Sequence, residues 1–124
     1  FLDQQFALQH AHYVAKFRGA QFLVLQRGLE PVGRYYLWRD AEDFLIVDIS
    51  LDRQVQGQGI GGALIERTQT MAAKHGRGVR LSVRADNVAA RRLYERLGFV
   101  PRTGDEHDMH LPMRWKALAA TAPG

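Results

Sequence analysis

Apolar positions recur every three to four residues in the first segment of the chain. This spacing predicts an amphipathic helix that ends near Gly19. The stripe that would face the core consists of Leu2, Phe6, His10, Tyr13, Val14 and Phe17. Because the chain opens at Phe1, directly inside this predicted helix, we expect that a piece upstream of it has been removed.

The pattern then changes to runs of β-branched and aromatic residues, which predict a meander of three strands. The predicted strands cover residues 21–26, 32–38 and 44–51. Residues 27–31 supply a turn with glycine and proline, and residues 39–43 supply a polar turn. The third strand is apolar almost throughout, interrupted by Asp48 and Ser50. A strand of this kind is predicted to be central in its sheet.

Helical and alternating segments follow each other in the second half of the chain. Helices are predicted over residues 59–74 and 87–97, and strands over residues 79–84, 99–100 and 109–115. Asn87 is a suitable N-cap for the second helix, and Gly98 stands where a helix C-terminus favours glycine. We therefore predict a single domain over residues 1–116, followed by a loose tail over residues 117–124.

The composition is that of one ordinary globular domain, with 46% hydrophobic and 24% charged residues. No apolar run reaches the roughly 18 to 20 residues of a membrane helix and no export signal is visible, so a cytoplasmic protein is expected. Because the chain lacks cysteine, disulfides, thiolate metal sites and a cysteine-bound acyl intermediate are excluded. The net charge of +4 is spread without a dense basic run, so neither a nucleic-acid nor a membrane partner is expected.

A glycine-rich stretch, Gln56-Gly57-Gln58-Gly59-Ile60-Gly61-Gly62, lies between the predicted central strand and a predicted helix. Glycines let backbone N–H groups turn inward and a helix N-terminus favours negative charge, so the turn suits a diphosphate. The glycine spacing also fits a dinucleotide-binding Rossmann turn, with Asp86 as a ribose contact. Residues 52–56 separate the strand from the glycines, however, and a β-meander precedes them, which is atypical of a Rossmann unit. A turn that binds no ligand is the remaining alternative.

Two motifs together resemble those of the GNAT family of N-acetyltransferases. The turn from Gln56 to Gly61 matches the family's Q/R-x-x-G-x-G/A signature. Further along, Asn87-Val88-Ala89-Ala90-Arg91-Arg92-Leu93-Tyr94-Glu95-Arg96-Leu97-Gly98-Phe99 is similar to the family's N-x-x-A-x-x-x-Y-x-x-x-G-F. Two motifs in the right order are more specific than either alone. The likeness covers residues 21–115, and the chain departs from the family by apparently lacking its first strand and first helix.

The resemblance implies an α/β (α+β) GNAT fold, in which helices flank a mixed, mostly antiparallel sheet and one parallel strand pair splays apart. It also implies that acetyl-coenzyme A (acetyl-CoA) is the co-substrate and that its pantetheine arm lies in the splay. The residues implied in binding it are Ile49, Ser50, Leu51, Gln56, Gly57, Gln58, Gly59, Ile60, Gly61, Gly62, Asn87, Ala90 and Tyr94. Within this set, Asn87 would bond the pantetheine beside the small Ala90, and Tyr94 would lie near the sulfur.

Acetyl transfer needs groups that manage protons and charge. Tyr94 is the candidate acid for the leaving thiolate, with a tyrosine packed in the core as the alternative. The N–H of Ile49 is the candidate oxyanion donor. An alkylamine with a pKa of about 10.4 is protonated at pH 7, so a base or a water chain is required. Asp48 is the candidate base, against the alternative of a structural hydrogen bond to a neighbouring strand or helix.

Further titratable residues lie in or beside predicted turns. Acidic residues that could rim the acceptor mouth and attract a cation are Glu42, Asp43, Asp105, Glu106 and Asp108. His107 and His110 are further candidate bases, but without a third ligand they are interpreted as surface or packing residues and no metal site is predicted.

These observations predict an N-acetyltransferase that moves an acetyl group from acetyl-CoA to a small-molecule or peptide amine. Because no cysteine can carry the acyl group, direct attack in a ternary complex is expected over a ping-pong route. A non-catalytic acyl-CoA sensor is the alternative function, and a nicotinamide-binding fragment is the third. A homodimer is a further expectation from the habits of the family.

Overall fold

Seven strands and two α-helices make up most of the residues that the computed structural model describes, which are 6–12, 20–39, 42–102 and 109–117. The strands are β1 (Phe6–His12), β2 (Gln21–Arg27), β3 (Glu30–Trp38), β4 (Phe44–Leu51), β5 (Val79–Arg84), β6 (Val100–Pro101) and β7 (His110–Trp115). The helices are α1 (Ile60–Lys74) and α2 (Val88–Arg96), and a short 3-10 turn occupies Arg53–Val55. Apart from β1 and this turn, each element lies within about two residues of its predicted position.

The strands form one mixed sheet in the order β1-β2-β3-β4-β5-β7-β6. β4 and β5 are parallel neighbours joined by a crossover through α1, whereas every other neighbouring pair is antiparallel. This arrangement confirms the predicted mixed, mostly antiparallel sheet. Within the described ranges, no helix combines the length and the apolar character needed to cross a membrane.

The segment Phe6–His12 is a strand, so the helix predicted there is wrong for these residues. β1 pairs antiparallel with β2, from Phe6 opposite Arg27 to His12 opposite Gln21. In a segment of seven residues, the apolar positions alone do not distinguish a strand from a helix. The edge of β2 decides between them, because it supplies partners for the backbone N–H and C=O groups of β1. A strand therefore precedes β2 at the edge of the sheet, and residues 1–5 and 13–19 of the predicted helix lie outside the described residues.

Both helices pack on one face of the sheet, which we call the helix face. Its core consists of Tyr35, Leu37, Phe44, Ile46, Ile65, Ala72, Val79, Leu81, Val83, Tyr94, Phe99 and Met113. The side chain of Gln69 in α1 donates a 2.8 Å hydrogen bond to the carbonyl of Leu97, which ties the end of α2 to α1. The opposite face, which we call the far face, carries Arg34, Tyr36, Asp48 and Ser50.

A β-bulge in β4 sets which side chains reach each face. Tyr36 lies opposite Asp48 and Leu37 lies opposite Ile46, so Val47 is an extra residue in β4. A bulge shifts the alternation by one residue and increases the local twist. Asp48 therefore lies on the far face, although Ile46, two residues earlier, lies on the helix face.

Asp43 is a buried ion-pair residue and not a solvated residue at the rim of an acceptor site. It is 8% exposed, and Arg114 donates to its two carboxylate oxygens over 2.8 and 3.1 Å. The backbone N–H of Gly78 donates to it over 3.3 Å, and Arg80 lies 3.4 Å away. The hydrogen bond from Arg114 is the main cause that lowers the pKa of Asp43, and it outweighs the effect of burial. This cluster joins the start of β4 to β5 and β7.

We expect Asp43→Asn to lower the free energy of unfolding at pH 7 by about 1.5–3 kcal/mol, because it removes the charge from these hydrogen bonds. A lowered pKa stabilises the fold above the unfolded value of about 3.9, and that stabilisation is lost as the pH falls through the folded value. The difference from wild type should therefore shrink as the pH is taken towards 3. Urea unfolding at both pH values measures it, with the exposed neighbour Glu42→Gln as control. An equal difference at both pH values would contradict the assignment.

Candidate active site

A cleft opens between the two parallel strands. β4 and β5 are paired only at Phe44 opposite Val79 and at Leu45 opposite Arg80, and beyond these pairs the strands diverge. The resulting cavity has a volume of about 140 Å³. It is lined by Ile46, Val47, Asp48, Ile49, Leu81, Ser82, Val83, Arg84, Asn87 and Tyr94. Asp48, Ile49, Asn87 and Tyr94 were predicted from the sequence, and the fold brings these four residues together.

Tyr94 forms part of the wall of this cleft from α2. Its side chain is 7% exposed, and its ring lies 5.9 Å from the ring of Phe99. Tyr94 therefore packs in the core, as the structural alternative predicted, and also borders the cleft, as a catalytic role requires. Burial raises the pKa of its phenol above the ordinary value of 10.0. The hydroxyl consequently keeps its proton at neutral pH and can donate a hydrogen bond into the cleft.

Asn87 is the N-cap of α2, and the NH₂ group of its side chain remains available to a ligand. Its Oδ1 accepts a 3.2 Å hydrogen bond from the N–H of Ala90, which confirms it as the helix cap. Within the described part of the chain, nothing accepts a hydrogen bond from its Nδ2 group. Since Asn87 lines the cleft, its NH₂ group is a donor for a polar ligand there. Ala90 itself is partly buried against the helix-face core.

The glycine turn presents a row of backbone N–H groups at the N-terminus of α1. Gly57 and Gly59 have φ angles of 78° and 80°, in the left-handed region that favours glycine. Among the residues that the structure describes, none of the N–H groups from Gly57 to Gly62 donates a hydrogen bond. Because buried or ordered N–H groups are normally paired, this row is suited to an anion. The first helical turn adds to this, since α1 is 15 residues long and its N-terminal dipole favours negative charge.

Two glutamines hold this turn in shape through their side chains. Gln56 donates over 2.9 Å to the carbonyl of Leu51, and Gln58 donates over 3.2 Å to the carbonyl of Gln54. The side chain of Ile60 is buried in a second core with Val32 and Val55. The glutamine and isoleucine side chains thus support the loop, and the backbone N–H groups remain as donors.

Ser50 and Leu51 lie beyond the cleft that contains the other predicted residues of β4. Ser50 is on the far face opposite Arg34. Leu51 packs beside the second core on the helix side, next to Gly61 in the first turn of α1. Any contact of these two residues with a coenzyme stays a prediction.

Asp48 makes the structural hydrogen bond that was the alternative to its role as a base. Arg34 in β3 donates from Nε to Oδ2 of Asp48 over 2.7 Å. Half of the carboxylate is still without a partner in the described residues, because only Oδ2 takes part in this bond. Asp48 also borders the cleft. Its role as a base stays a prediction, as does the oxyanion role of the Ile49 N–H.

Of the remaining titratable candidates, Glu42 and His110 lie in the described ranges, and neither lines the cleft. Glu42 is exposed beside Asp43 at the end where β4 and β5 are still paired, and His110 lies in β7 opposite Arg84. Asp105, Glu106, His107 and Asp108 lie outside the described residues.

Sequence reasoning missed the contribution of β5 to the cleft. Ser82 and Arg84 line it opposite Asp48, and Arg84 is held by Asp86 through hydrogen bonds of 3.1 and 3.0 Å. The alternation of apolar and polar residues in β5 predicts that Ser82 and Arg84 share a face. It does not predict that this face lies beside Asp48, because that depends on the splay.

Comparison with known proteins gives the same fold. Residues 3–117 match a family described as the acetyltransferase (GNAT) domain. A GNAT family acetyltransferase from Elizabethkingia anophelis, solved with acetyl-CoA bound, superposes with a TM-score of 0.71 at 12% identity, over 93% of this chain and 100% of that one. The ribosomal-protein-S18-alanine N-acetyltransferase from Escherichia coli gives 0.68 at 25% identity, over 82% and 71% of the two chains.

A third structure extends beyond the present chain. The protein PH1933 from Pyrococcus horikoshii OT3 superposes with a TM-score of 0.69 at 24% identity, over 78% of this chain. The match covers 65% of the Pyrococcus protein, which is less than two thirds of its length. The family match covers residues 3–117, and the sheet order and the split strand pair agree with it. This chain therefore belongs to the GNAT acetyltransferase family.

Proposed function

We propose that this chain transfers an acetyl group from acetyl-CoA to an amine. The observation that carries the proposal is the row of N–H groups from Gly57 to Gly62 at the start of α1, which has no acceptor in the described residues. A diphosphate provides the negative oxygens that such donors lack, and the helix adds about half a positive charge. The acetyl-CoA bound in the Elizabethkingia relative supports the choice of coenzyme.

The residues of the cleft fit the reaction that the coenzyme would bring. Acetyl-CoA supplies an acetyl thioester, which a neutral amine attacks while the thiolate leaves. Tyr94 would hold its phenol proton towards the leaving sulfur, and the N–H of Ile49 would hold the carbonyl oxygen. Asp48, directly or through water, would take the proton that the amine nitrogen must lose. With no cysteine in the chain, the amine is proposed to attack directly in a ternary complex.

Thermal unfolding with added ligands tests the choice of coenzyme. Acetyl-CoA at about 100 times its dissociation constant is expected to stabilise the protein by about 2.7 kcal/mol, a rise of melting temperature on the order of 10 °C. NAD at the same concentration should leave the melting temperature unchanged. Stabilisation by NAD alone would support the nicotinamide fragment and refute the proposal. Acetyl-CoA binding without turnover of any amine would instead favour a sensor.

The two glycines at the start of α1 provide a matched pair of variants. Gly59 has a φ of 80°, so an alanine there costs about 1–2 kcal/mol or moves the turn and its N–H groups. Gly59→Ala is therefore expected to weaken acetyl-CoA binding about tenfold or more. Gly61 lies in the helix, where a Cβ would meet its nearest atom at 3.7 Å, so Gly61→Ala should leave affinity within about threefold. Titration calorimetry compares them, and equal affinities would argue against a role for the turn.

A small-molecule or peptide amine is the proposed acceptor class. The homodimer, the cytoplasmic location and the division into a domain over residues 1–116 and a tail over residues 117–124 stay predictions.

A further inference from the structure

The far face of the sheet carries a second cavity next to the cleft. It has a volume of about 240 Å³. Phe22, Val24 and Pro31 form its apolar side, and Arg34, Ser50 and Asp52 form its polar side. Because Asp48 borders the cleft and is bonded to Arg34, the ion pair stands between the cleft and this cavity. The glycine turn and α1 are on the helix side of the sheet, so the far face is the side opposite the proposed diphosphate site.

The ion pair between Arg34 and Asp48 leaves N–H donors of Arg34 and one carboxylate oxygen of Asp48 without a partner in the described residues. Only Nε of Arg34 and Oδ2 of Asp48 take part in it, at 2.7 Å. Elsewhere in the described ranges, no residue accepts a hydrogen bond from the terminal nitrogens of Arg34 or donates one to Oδ1 of Asp48. Both side chains are about half exposed, at 56% and 42%. The pair therefore offers a planar pair of N–H donors on the cavity side and a carboxylate oxygen on the cleft side.

We propose that the acceptor is a small amine that also carries one carboxylate, as in an amino acid. Its ammonium would be held by Asp48 at the cleft, and its carboxylate would be held by the terminal nitrogens of Arg34, whose fork matches a carboxylate. This inference rests on the proposed acetyltransferase function and adds the substrate class to it.

Asp52 limits the acceptor to a single carboxylate. Along β4 and just beyond it, Asp48, Ser50 and Asp52 are spaced two residues apart, which in an extended chain is about 6–7 Å per step. Arg34 lies opposite Ser50, so it stands between the two acidic residues. A second carboxylate on the acceptor would be repelled by Asp48 or Asp52. Glutamate and aspartate are therefore expected to be poor acceptors.

Matched pairs of amines test the proposal on the full chain with saturating acetyl-CoA. Each pair consists of an amino acid and its decarboxylated amine: lysine with cadaverine, arginine with agmatine, tyrosine with tyramine. We expect kcat/KM in the wild type to favour the carboxylate member of at least one pair by about 10- to 100-fold, the usual worth of a hydrogen bond to a charged group. In Arg34→Gln this ratio should fall towards one.

Comparing ratios between enzymes cancels the intrinsic reactivity of each amine, since it is the same for both. Arg96→Gln removes an equal charge from the exposed end of α2 and should keep the wild-type ratio. Arg34→Lys keeps the charge without the fork and should give an intermediate ratio, which covers the case in which Arg34→Gln fails to fold. A wild-type ratio near one, or a ratio that Arg34→Gln leaves unchanged, would overturn the proposal. Acetyl-CoA that binds while no carboxylate-bearing amine is acetylated would overturn it too, leaving the coenzyme assignment intact.

Discussion

Tyr94→Phe is expected to lower kcat by about 10²- to 10³-fold, the usual effect of losing one hydrogen-bond donor to developing negative charge, while changing acetyl-CoA affinity little. The substitution removes one hydroxyl from the wall of the cleft and leaves the ring that packs against Phe99. Without that hydroxyl, the negative charge on the leaving sulfur has no donor from α2. The measurement is the rate of free thiol release with the amine that reacts fastest, together with a separate titration of acetyl-CoA binding.

The raised pKa of Tyr94 adds a pH signature to this expectation. Because burial moves the phenol above its ordinary value of 10.0, the wild type should show no loss of kcat from Tyr94 titration below about pH 10. A phenol of this kind is a weaker acid than a thiol with a pKa of about 8.5, so Tyr94 stabilises the thiolate mainly by donating a hydrogen bond. The proton that the amine nitrogen loses then balances the negative charge of the thiolate.

Tyr35→Phe is the matched control for Tyr94. Tyr35 is also buried, its pKa is also raised by burial, and its hydroxyl is hydrogen-bonded to Thr68 on α1. Tyr35 does not line the cleft. Loss of its hydroxyl should therefore lower the free energy of unfolding by about 0.5–1.5 kcal/mol and leave kcat near the wild-type value. A Tyr94→Phe enzyme that turns over as fast as Tyr35→Phe would remove Tyr94 from the mechanism.

Phe44→Ala is expected to lower the free energy of unfolding by about 3–5 kcal/mol. Phe44 is 2% exposed. It lies opposite Val79, where β4 and β5 are still paired, and its N–H donates over 2.9 Å to the carbonyl of Gly78. Its ring also lies 6.0 Å from that of His75. Removing the ring leaves a cavity under the only paired part of β4 and β5 in the described residues. Urea unfolding of the apo protein measures the loss.

Two further variants separate a packing effect from a general loss of apolar area. Phe44→Leu keeps most of the volume and should cost less than about 1.5 kcal/mol. Leu29 is 95% exposed in the turn between β2 and β3, so Leu29→Ala should change stability by less than about 0.5 kcal/mol. A Phe44→Ala protein as stable as Leu29→Ala would show that this end of the strand pair is not part of the cooperative core.

Local patterns account for most of the secondary structure and for two of the site's components. The alternation in β5, the apolar run of β4 and the helical stripe of α1 are each long enough to select one period. Asn87 caps α2 as its residue type predicts, because the interaction reaches only three residues along the chain. The glycine turn was predicted for the same reason, since its φ angles and free N–H groups depend on the turn itself.

Features that depend on a distant partner were not predicted. β1 is a strand because the edge of β2 pairs with it, and Asp43 is buried because Arg114, far along the chain, reaches it. The bulge at Val47 depends on the register against β3, and it determines that Asp48 faces Arg34.

The sequence by itself determined most of the elements, the glycine turn, the helix that carries Tyr94 and the family resemblance. Only the tertiary structure decided that Tyr94 and Asp48 share one cleft, that Asp48 is paired with Arg34 and that Ser82 and Arg84 lie opposite. The physical reason is that propensity and capping act over a few residues, whereas the gap between β4 and β5 results from register and twist across the whole sheet.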